Sequence, residues 1–364
     1  MARNRFIAAC ILYPLSRLYG LGVWVRNKLF DHKVLKQREF DIPVVVIGNI
    51  AIGGTGKTPH VEYLIRRYMG RYNVAVLSRG YKRDTSGFIM AGPSSTPSEI
   101  GDESYQIYRK FGNRITVAVC ERRAEGIDRL RELNPEINLI LLDDAFQHRH
   151  VKPSASVVLT EFHRPVYADH LLPYGRLREP LSGLNRADII VVTKCPQDME
   201  PLEYRLWKER LNLFPFQKLY FSTYLYGALL PVFPTSSQEI PQLRNLPSPS
   251  NILALSGIAN PRPFLSYLRR SGAKVKLCRF SDHHSFTASD LKLIADRFDQ
   301  LPPGYNFIVT TEKDAVRLVH NPQFPSRLKP LLYYLPIQVD FIERGDGEFS
   351  QCVEKTFNNA HLFK

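Results

Sequence analysis

At 364 residues, with 44% hydrophobic residues and a mean hydropathy of −0.22, the chain has room for about two domains with cores of their own and reads as a soluble or peripheral protein. The five cysteines, Cys10, Cys120, Cys195, Cys278 and Cys352, stand far apart with no C-x-x-C pair, which excludes a disulfide or zinc framework and suits a reducing compartment. A net charge of +14 asks for an anionic partner: nucleic acid, an acidic membrane surface or a phosphorylated substrate.

Residues 1–38 carry eight Lys/Arg against one acid, Asp31, so about half of the net charge lies in a tenth of the chain. Apolar and aromatic runs, Phe6 to Leu15 and Leu18 to Val25, lie between the charges, with Tyr13, Tyr19 and Trp24 suited to a headgroup boundary. Pro14 and Arg17 interrupt what would otherwise be a membrane span, and no cleavage site marks a signal peptide. The expectation is an amphipathic segment lying on a membrane surface, against the plainer reading of a helix packed on its own domain.

Val44 to Ile47 form a buried strand, and Gly53-Gly54-Thr55-Gly56-Lys57-Thr58 follows as a phosphate cradle opening a helix. Val61, Leu64, Ile65, Tyr68 and Met69 recur on one apolar helical face, and Pro59 sits in the first turn, where its missing donor is harmless. Lys57 has the reach for β- and γ-phosphates and Thr58 the hydroxyl for Mg²⁺. The strict motif has Gly where this chain has Ala51, so Gly53 and Gly54 are expected to supply the turn.

A strand over 73–77 runs into Ser78-Arg79-Gly80-Tyr81-Lys82-Arg83, donors suited to an anion. Asp102 precedes a helical pattern through Phe111 and reads by itself as a cap. A strand over 115–120 and a charged helix opened by Glu121 to Arg123 follow, then a buried strand over 138–142 that delivers Asp143 and Asp144 at its C-terminal end, where open parallel sheets gather ligands. Further strands are expected at 156–159 and 188–192, with a loop from Leu172 to Pro180 between them. Thr193, Lys194 and Asp198 lack the spacing of a guanine-reading loop.

The Pro- and Ser-rich stretch 229–250 reads as an interdomain crossing. A second alternation follows: strands at 251–256, 274–280 and 305–309, helices at 261–270 and 289–298. Asp282, His283 and His284 are adjacent, so their side chains diverge and carry no metal-ligand spacing. The pattern predicts an α/β fold: a P-loop NTPase-like parallel sheet with helices on both faces over 39–228, and a smaller α/β domain over 251–364.

Together these stretches resemble the tetraacyldisaccharide 4′-kinase family. The resemblance runs along nearly the whole chain. It rests on Val46-Ile-Gly-Asn49 with Gly53-Gly-Thr-Gly-Lys-Thr-Pro59, Ser78-Arg-Gly-Tyr81, Gly101-Asp-Glu103, Asp143-Asp-Ala-Phe-Gln-His-Arg149, Gly175-Arg-Leu-Arg-Glu-Pro180, Asp282-His-His-Ser-Phe286 and Thr311-Glu-Lys-Asp-Ala315. The family's own loop also lacks Gly at the Ala51 position. Ala145 stands where the family usually has Gly, and Ser104 where Pro is common. The resemblance implies ATP and Mg²⁺ as cofactors, with γ-phosphoryl transfer to the 4′-hydroxyl of a lipid A disaccharide 1-phosphate at the cytoplasmic face of the inner membrane. The anionic membrane surface is then a partner, while nucleic acid and an obligate protein partner are not expected. It implies Asp102 as base with His283 assisting, Lys57 on the phosphates, Thr58, Glu103, Asp143 and Asp144 around the metal, and Arg79, Gln147, Arg178 and Glu179 lining the substrate site. The alternative from another class is a GTPase or metallochaperone switch, which shares the P-loop and the strand-end acids.

Overall fold

The computed structural model describes residues 2–235, 239–282, 284–342 and 347–362, with side chains from residue 10 to 360 of these; His283 lies outside the described residues. The strands are β1 (Val44–Asn49), β2 (Val74–Ser78), β3 (Ile89–Met90), β4 (Thr116–Val119), β5 (Leu139–Asp143), β6 (Ala155–Glu161), β7 (Ile189–Thr193), β8 (Lys218–Tyr226), β9 (Leu230–Pro231), β10 (Ser250–Ser256), β11 (Lys274–Arg279), β12 (Tyr305–Thr311), β13 (Leu332–Leu335) and β14 (Ile337–Phe341). The helices are α1 (Ala2–Asp31), α2 (Lys57–Tyr68), α3 (Pro97–Ile100), α4 (Asp102–Phe111), α5 (Arg123–Leu133), α6 (Pro201–Leu211), α7 (Arg262–Arg269), α8 (Ala288–Asp299), α9 (Glu312–Val319) and α10 (Glu348–Leu362).

By contacts the chain divides into two units, the first holding 1–95, 107–224 and 339–364, the second 96–106 and 225–338. The sheet of the first unit runs β14-β8-β7-β6-β1-β5-β2-β4-β3. From β8 through β4 its neighbours are parallel, and β3 is antiparallel to β4. Chain order leaves β1 in one direction toward β2 and returns past it to β6 in the other. The order therefore reverses beside β1, the place where an open α/β sheet forms its ligand crevice.

Successive strand side chains point to opposite faces, and both faces are buried. Val44 and Val46 of β1, with Ile140 and Leu142 of β5, pack under Ile127 and Leu130 of α5 and Trp207 and Leu211 of α6. Val45 and Ile47, with Leu139 and Leu141, pack under Val61, Leu64, Ile65 and Tyr68 of α2 and Phe349, Val353 and Phe357 of α10. Helix α10 thus belongs to the first unit, whereas the sequence reading put everything from 251 onward in the second. The physical reason is that α10 offers Phe349, Val353 and Phe357 at four-residue spacing, an apolar stripe that completes the α2 face.

The second unit has a sheet in the order β11-β10-β12-β13-β9, parallel except at β9. Leu253 and Leu255 of β10 face Leu291 and Ile294 of α8 and Ala315 and Leu318 of α9. Ile252 and Ala254 face Phe264, Leu265 and Leu268 of α7. The stretch 229–250 joins this unit too: β9 pairs with β13, and Leu243 and Leu246 pack on the α7 side.

Helix α1 is continuous through Pro14 and Arg17. One side is docked on the first unit: Ser16 Oγ donates to the Leu171 carbonyl at 2.6 Å, Arg149 donates to the Asn27 carbonyl at 3.0 Å and to Asp31 at 2.7 Å, and Phe30 is buried. The other side leaves Ile11, Leu15, Leu18, Leu21, Val25 and Leu29 exposed, a stripe at helical spacing. Among the described residues no helix is long and apolar enough to cross a membrane.

Candidate active site

The loop between β1 and α2 is built by glycine geometry. Gly53 and Gly56 have φ of 115° and 92°, the left-handed region that side chains resist. A Cβ on Gly56 would also fall on the Tyr224 hydroxyl. Ala51 needs no such freedom. It bridges to Leu177, with Ile52 N donating to the Arg176 carbonyl at 2.8 Å and Arg178 N to the Ile50 carbonyl at 2.7 Å, so the chain is still extended there. The turn therefore starts at Gly53, which explains the departure from the strict motif, and Gly54 does not share in its positive φ.

Gly56 caps α2 without a side-chain partner, leaving the first amides of a twelve-residue helix with no side-chain cap. Below the loop, Asn49 donates to Thr55 Oγ1 at 2.8 Å, and its own Oδ1 is buried without a hydrogen-bond partner. Thr193 Oγ1 donates to the Thr55 carbonyl at 2.8 Å, and Lys194 Nζ donates to the Gly54 carbonyl while also pairing with Glu161 at 3.3 Å. His60, fully buried, meets the Gly56 carbonyl through Nδ1 at 2.7 Å and Ser222 Oγ through Nε2 at 2.9 Å. Since a carbonyl only accepts, Nδ1 carries the proton and Nε2 accepts from the serine. Burial holds this imidazole neutral, its pKa lowered to about 4 despite the Gly56 bond.

Asp143 ends β5 and Asp144 follows it with φ 48°, a conformation that turns the second carboxylate toward Lys57. Lys57 Nζ stands 3.6 Å from Asp144 Oδ1, and Arg178 donates to the same oxygen at 3.0 Å. Burial raises the Asp144 carboxyl, but Lys57 and Arg178 outweigh it and hold the group below its ordinary value. Gln147 bonds the Asn49 carbonyl at 2.7 Å and Glu179 at 2.8 Å, and Arg186 pairs with the other Glu179 oxygen at 2.7 Å. Two side chains of α1 reach the same loops, Tyr19 donating to the Arg178 carbonyl at 2.7 Å and Arg26 to the Gln147 carbonyl at 2.7 Å.

Of the residues expected from the sequence, Lys57, Asp144, Gln147, Arg178 and Glu179 are thus one connected network. Thr58 lies on the first turn of α2, and exposed Arg79 acts through space on Arg123 and His148. Asp102 and Glu103 begin α4 in the second unit, and Ser281 and Asp282 belong to the same unit, so by contacts Asp102 does not lie in the P-loop unit where the sequence reading puts it. Asp102 is the first helical residue of α4, and Arg317 donates to its carboxylate at 2.6 and 2.9 Å.

Sequence reasoning missed three groups. Arg123 is buried, donates through Nη1 to the Cys120 and Glu121 carbonyls, and leaves Nε and Nη2 without hydrogen-bond partners. Burial lowers it to about 10, against the attraction of Asp143 and Asp144. His148 is pushed to about 4 by burial, with Arg123 and Arg79 adding to the effect, so it stays neutral among cations. Lys194, which by spacing offers only a failed guanine reader, braces the phosphate loop with its ammonium. His148 sits inside the quoted stretch Asp143 to Arg149, and Arg123 opens α5 shortly after β4; an Arg at the C-terminal edge of the parallel sheet is the signal available for it.

Asp143, Asp144 and Thr58 are hard oxygen donors, the kind that Mg²⁺ takes in small number while keeping water and phosphate in the rest of its shell. Among the described residues no group of three or more His, Cys, Asp or Glu converges, so the donor set suits such a shared shell and not an all-protein cage.

The family model for tetraacyldisaccharide-1-P 4′-kinase (LpxK) matches residues 8–358. The chain belongs to this family. Relatives named tetraacyldisaccharide 4′-kinase include those of Bacteroides thetaiotaomicron, 49% identical over 94% of this chain and 91% of the relative, and Phocaeicola vulgatus, 48% identical over 96% and 97%. Among solved structures, LpxK from Aquifex aeolicus, crystallised in complex with ATP, superposes with a TM-score of 0.72 at 27% identity, covering 97% of this chain and 99% of that one. Membership makes the chain an enzyme of a kinase family with the α/β architecture expected from sequence. A GTPase or metallochaperone switch is not favoured.

Proposed function

We propose that this chain transfers the γ-phosphoryl group of ATP to the 4′-hydroxyl of tetraacyldisaccharide 1-phosphate. The observation that carries the reading is the network of Lys57, Asp144 and Arg178 beside the uncapped start of α2, in a chain matched along its length by this kinase family. Phosphoryl transfer asks the protein mainly for positioning and charge neutralisation. The α2 amides and Lys57 bind the nucleotide phosphates, and Lys57 exchanges Asp144 for phosphate oxygen. Arg178, Arg123 and Arg79 supply positive charge for the anionic acceptor. Asp102 takes the proton of the attacking hydroxyl, assisted by His283. Thr58, Asp143 and Asp144 would hold Mg²⁺, which neutralises phosphate charge when bound. Gln147 and Glu179 keep the Asp144 and Arg178 loops in register.

The exposed stripe of α1, flanked by Arg17 and Lys28, suits an anionic bilayer surface, and this reading puts the enzyme at the cytoplasmic face of the inner membrane as a peripheral protein. Incubation of the purified protein with ATP, Mg²⁺ and the disaccharide 1-phosphate in detergent, followed by mass spectrometry, should show a product with one added phosphate. An acceptor recovered unchanged, with ATP consumed or not, would overturn the reading.

A further inference from the structure

The segment Thr311 to Ala315 has no role in the chemistry above, yet it organises one side of the second unit. Thr311 is the N-cap of α9: its Oγ1 accepts from Asp314 N at 3.2 Å and donates to Asp314 Oδ2 at 2.7 Å. The same carboxylate oxygen accepts from Gly257 N at 2.8 Å, at the end of β10. A Cβ on Gly257 would lie 2.8 Å from Asp314 Oδ1, so glycine there permits the approach. Asp314 is fully buried, and a buried carboxylate needs this number of partners.

One turn later Arg317 spans two acids. Nη1 donates to Asp314 Oδ1 at 3.3 Å, while Nε and Nη2 both donate to Asp102 Oδ2, at 2.9 and 2.6 Å. The Arg317 side chain is only 8% exposed, so it is held on both sides by carboxylates that are themselves fixed. Beside it His320 Nε2 meets the Tyr105 hydroxyl, with the rings 4.8 Å apart. Arg317 on α9 and His320, which caps its C-terminus, thus face Asp102 and Tyr105 on α4, both pairs three residues apart, which fixes rotation as well as distance. Lys313, on the preceding turn, stands 3.7 Å from Asp282, the residue before His283.

We propose that Arg317 is the positioning residue for Asp102: anchored by Asp314 to the end of β10, it fixes the place and rotation of the Asp102 carboxylate at the start of α4. This rests on Asp102 acting as the base. A guanidinium suits the task because its planar fork holds two acids at once, which a lysine point charge does not.

The test is a double-mutant cycle read as kcat and KM, with thermal melts alongside. Arg317→Ala should lower kcat by about a hundredfold, the cost of a misplaced catalytic group, with KM for ATP unchanged. Arg317→Lys, which keeps a charge beside buried Asp314 and serves where the alanine variant does not fold, should fall about tenfold, between the two. In an Asp102→Ala background, Arg317→Ala should cost less than about twofold, because residues acting as one unit do not add. Equal losses in both backgrounds, or a parent-like kcat in Arg317→Lys while Asp102→Ala is inactive, would overturn the positioning role alone. An Asp102→Ala enzyme as fast as the parent would instead remove Asp102 as base, and the proposal with it.

Discussion

His60 offers a quantitative test of how the phosphate loop is held. Its imidazole is buried, neutral and bonded on both sides, with a pKa near 4 against an ordinary value of 6.5. A histidine whose folded pKa lies below its unfolded value takes up a proton on unfolding. Its contribution is therefore complete above pH 6.5 and is lost as pH falls toward 4. With these two values the loss is about 1.4 kcal/mol at pH 5.5 and about 2.5 kcal/mol at pH 4.5. His60→Asn keeps an amide donor for the Gly56 carbonyl and removes the titration. At pH 7.5 it carries a fixed substitution cost. Between pH 6.5 and 4.5 the gap to the parent should close by those amounts, because His148 and the carboxylates titrate in both proteins. At about 2–4 °C per kcal/mol for a unit of 150–250 residues, the melting midpoints should converge by several degrees at pH 5.5. Parallel midpoint-against-pH curves for the two proteins would refute the buried neutral imidazole.

Lys57→Ala should lower turnover by at least about a hundredfold with an unchanged melting midpoint, since a loop ammonium serves phosphate charge and not the core; a turnover within a few-fold of the parent would remove the phosphate role. Gly56→Ala should lose more than about 1 kcal/mol of stability as well as activity, from its positive φ and from the Tyr224 hydroxyl, measured by urea unfolding; a neutral effect would show that the loop has another conformation. Replacing Leu18, Leu21 and Val25 together by serine should weaken cosedimentation with anionic vesicles tenfold or more while leaving the melting midpoint in place, because these side chains are exposed and the docked side of α1 is untouched. Equal cosedimentation would exclude the stripe as the membrane contact.

What was legible in the sequence was local. The β1 to α2 turn, the strand delivering Asp143 and Asp144, and the alternation of strands and helices each follow from patterns within about 20 residues. Partnerships across long separations were not. Asp102 reads as a cap because its ion-pair partner, Arg317, lies 215 residues away. Lys194 reads as a failed base reader because its bond to the Gly54 carbonyl spans 140 residues. The fold-back of α10 was hidden by the Pro- and Ser-rich stretch 229–250, whose composition suggested a boundary although Leu229, Leu243 and Leu246 bury themselves in the second unit. In α1, Pro14 and Arg17 argued against a span, and they do not stop the helix. A surface anchor and a packed helix are not exclusive here: one helix carries a docked side and an exposed apolar stripe.

In the proposed reaction the accepting atom is the 4′-hydroxyl. Transfer of ³²P from γ-labelled ATP should be measured with the disaccharide 1-phosphate and with its 4′-deoxy analogue, in the same detergent and with Mg²⁺. Label should appear in the first lipid and not in the second, with Lys57→Ala silent on both. Label appearing in the 4′-deoxy lipid, or in neither lipid while ATP is hydrolysed, would contradict it.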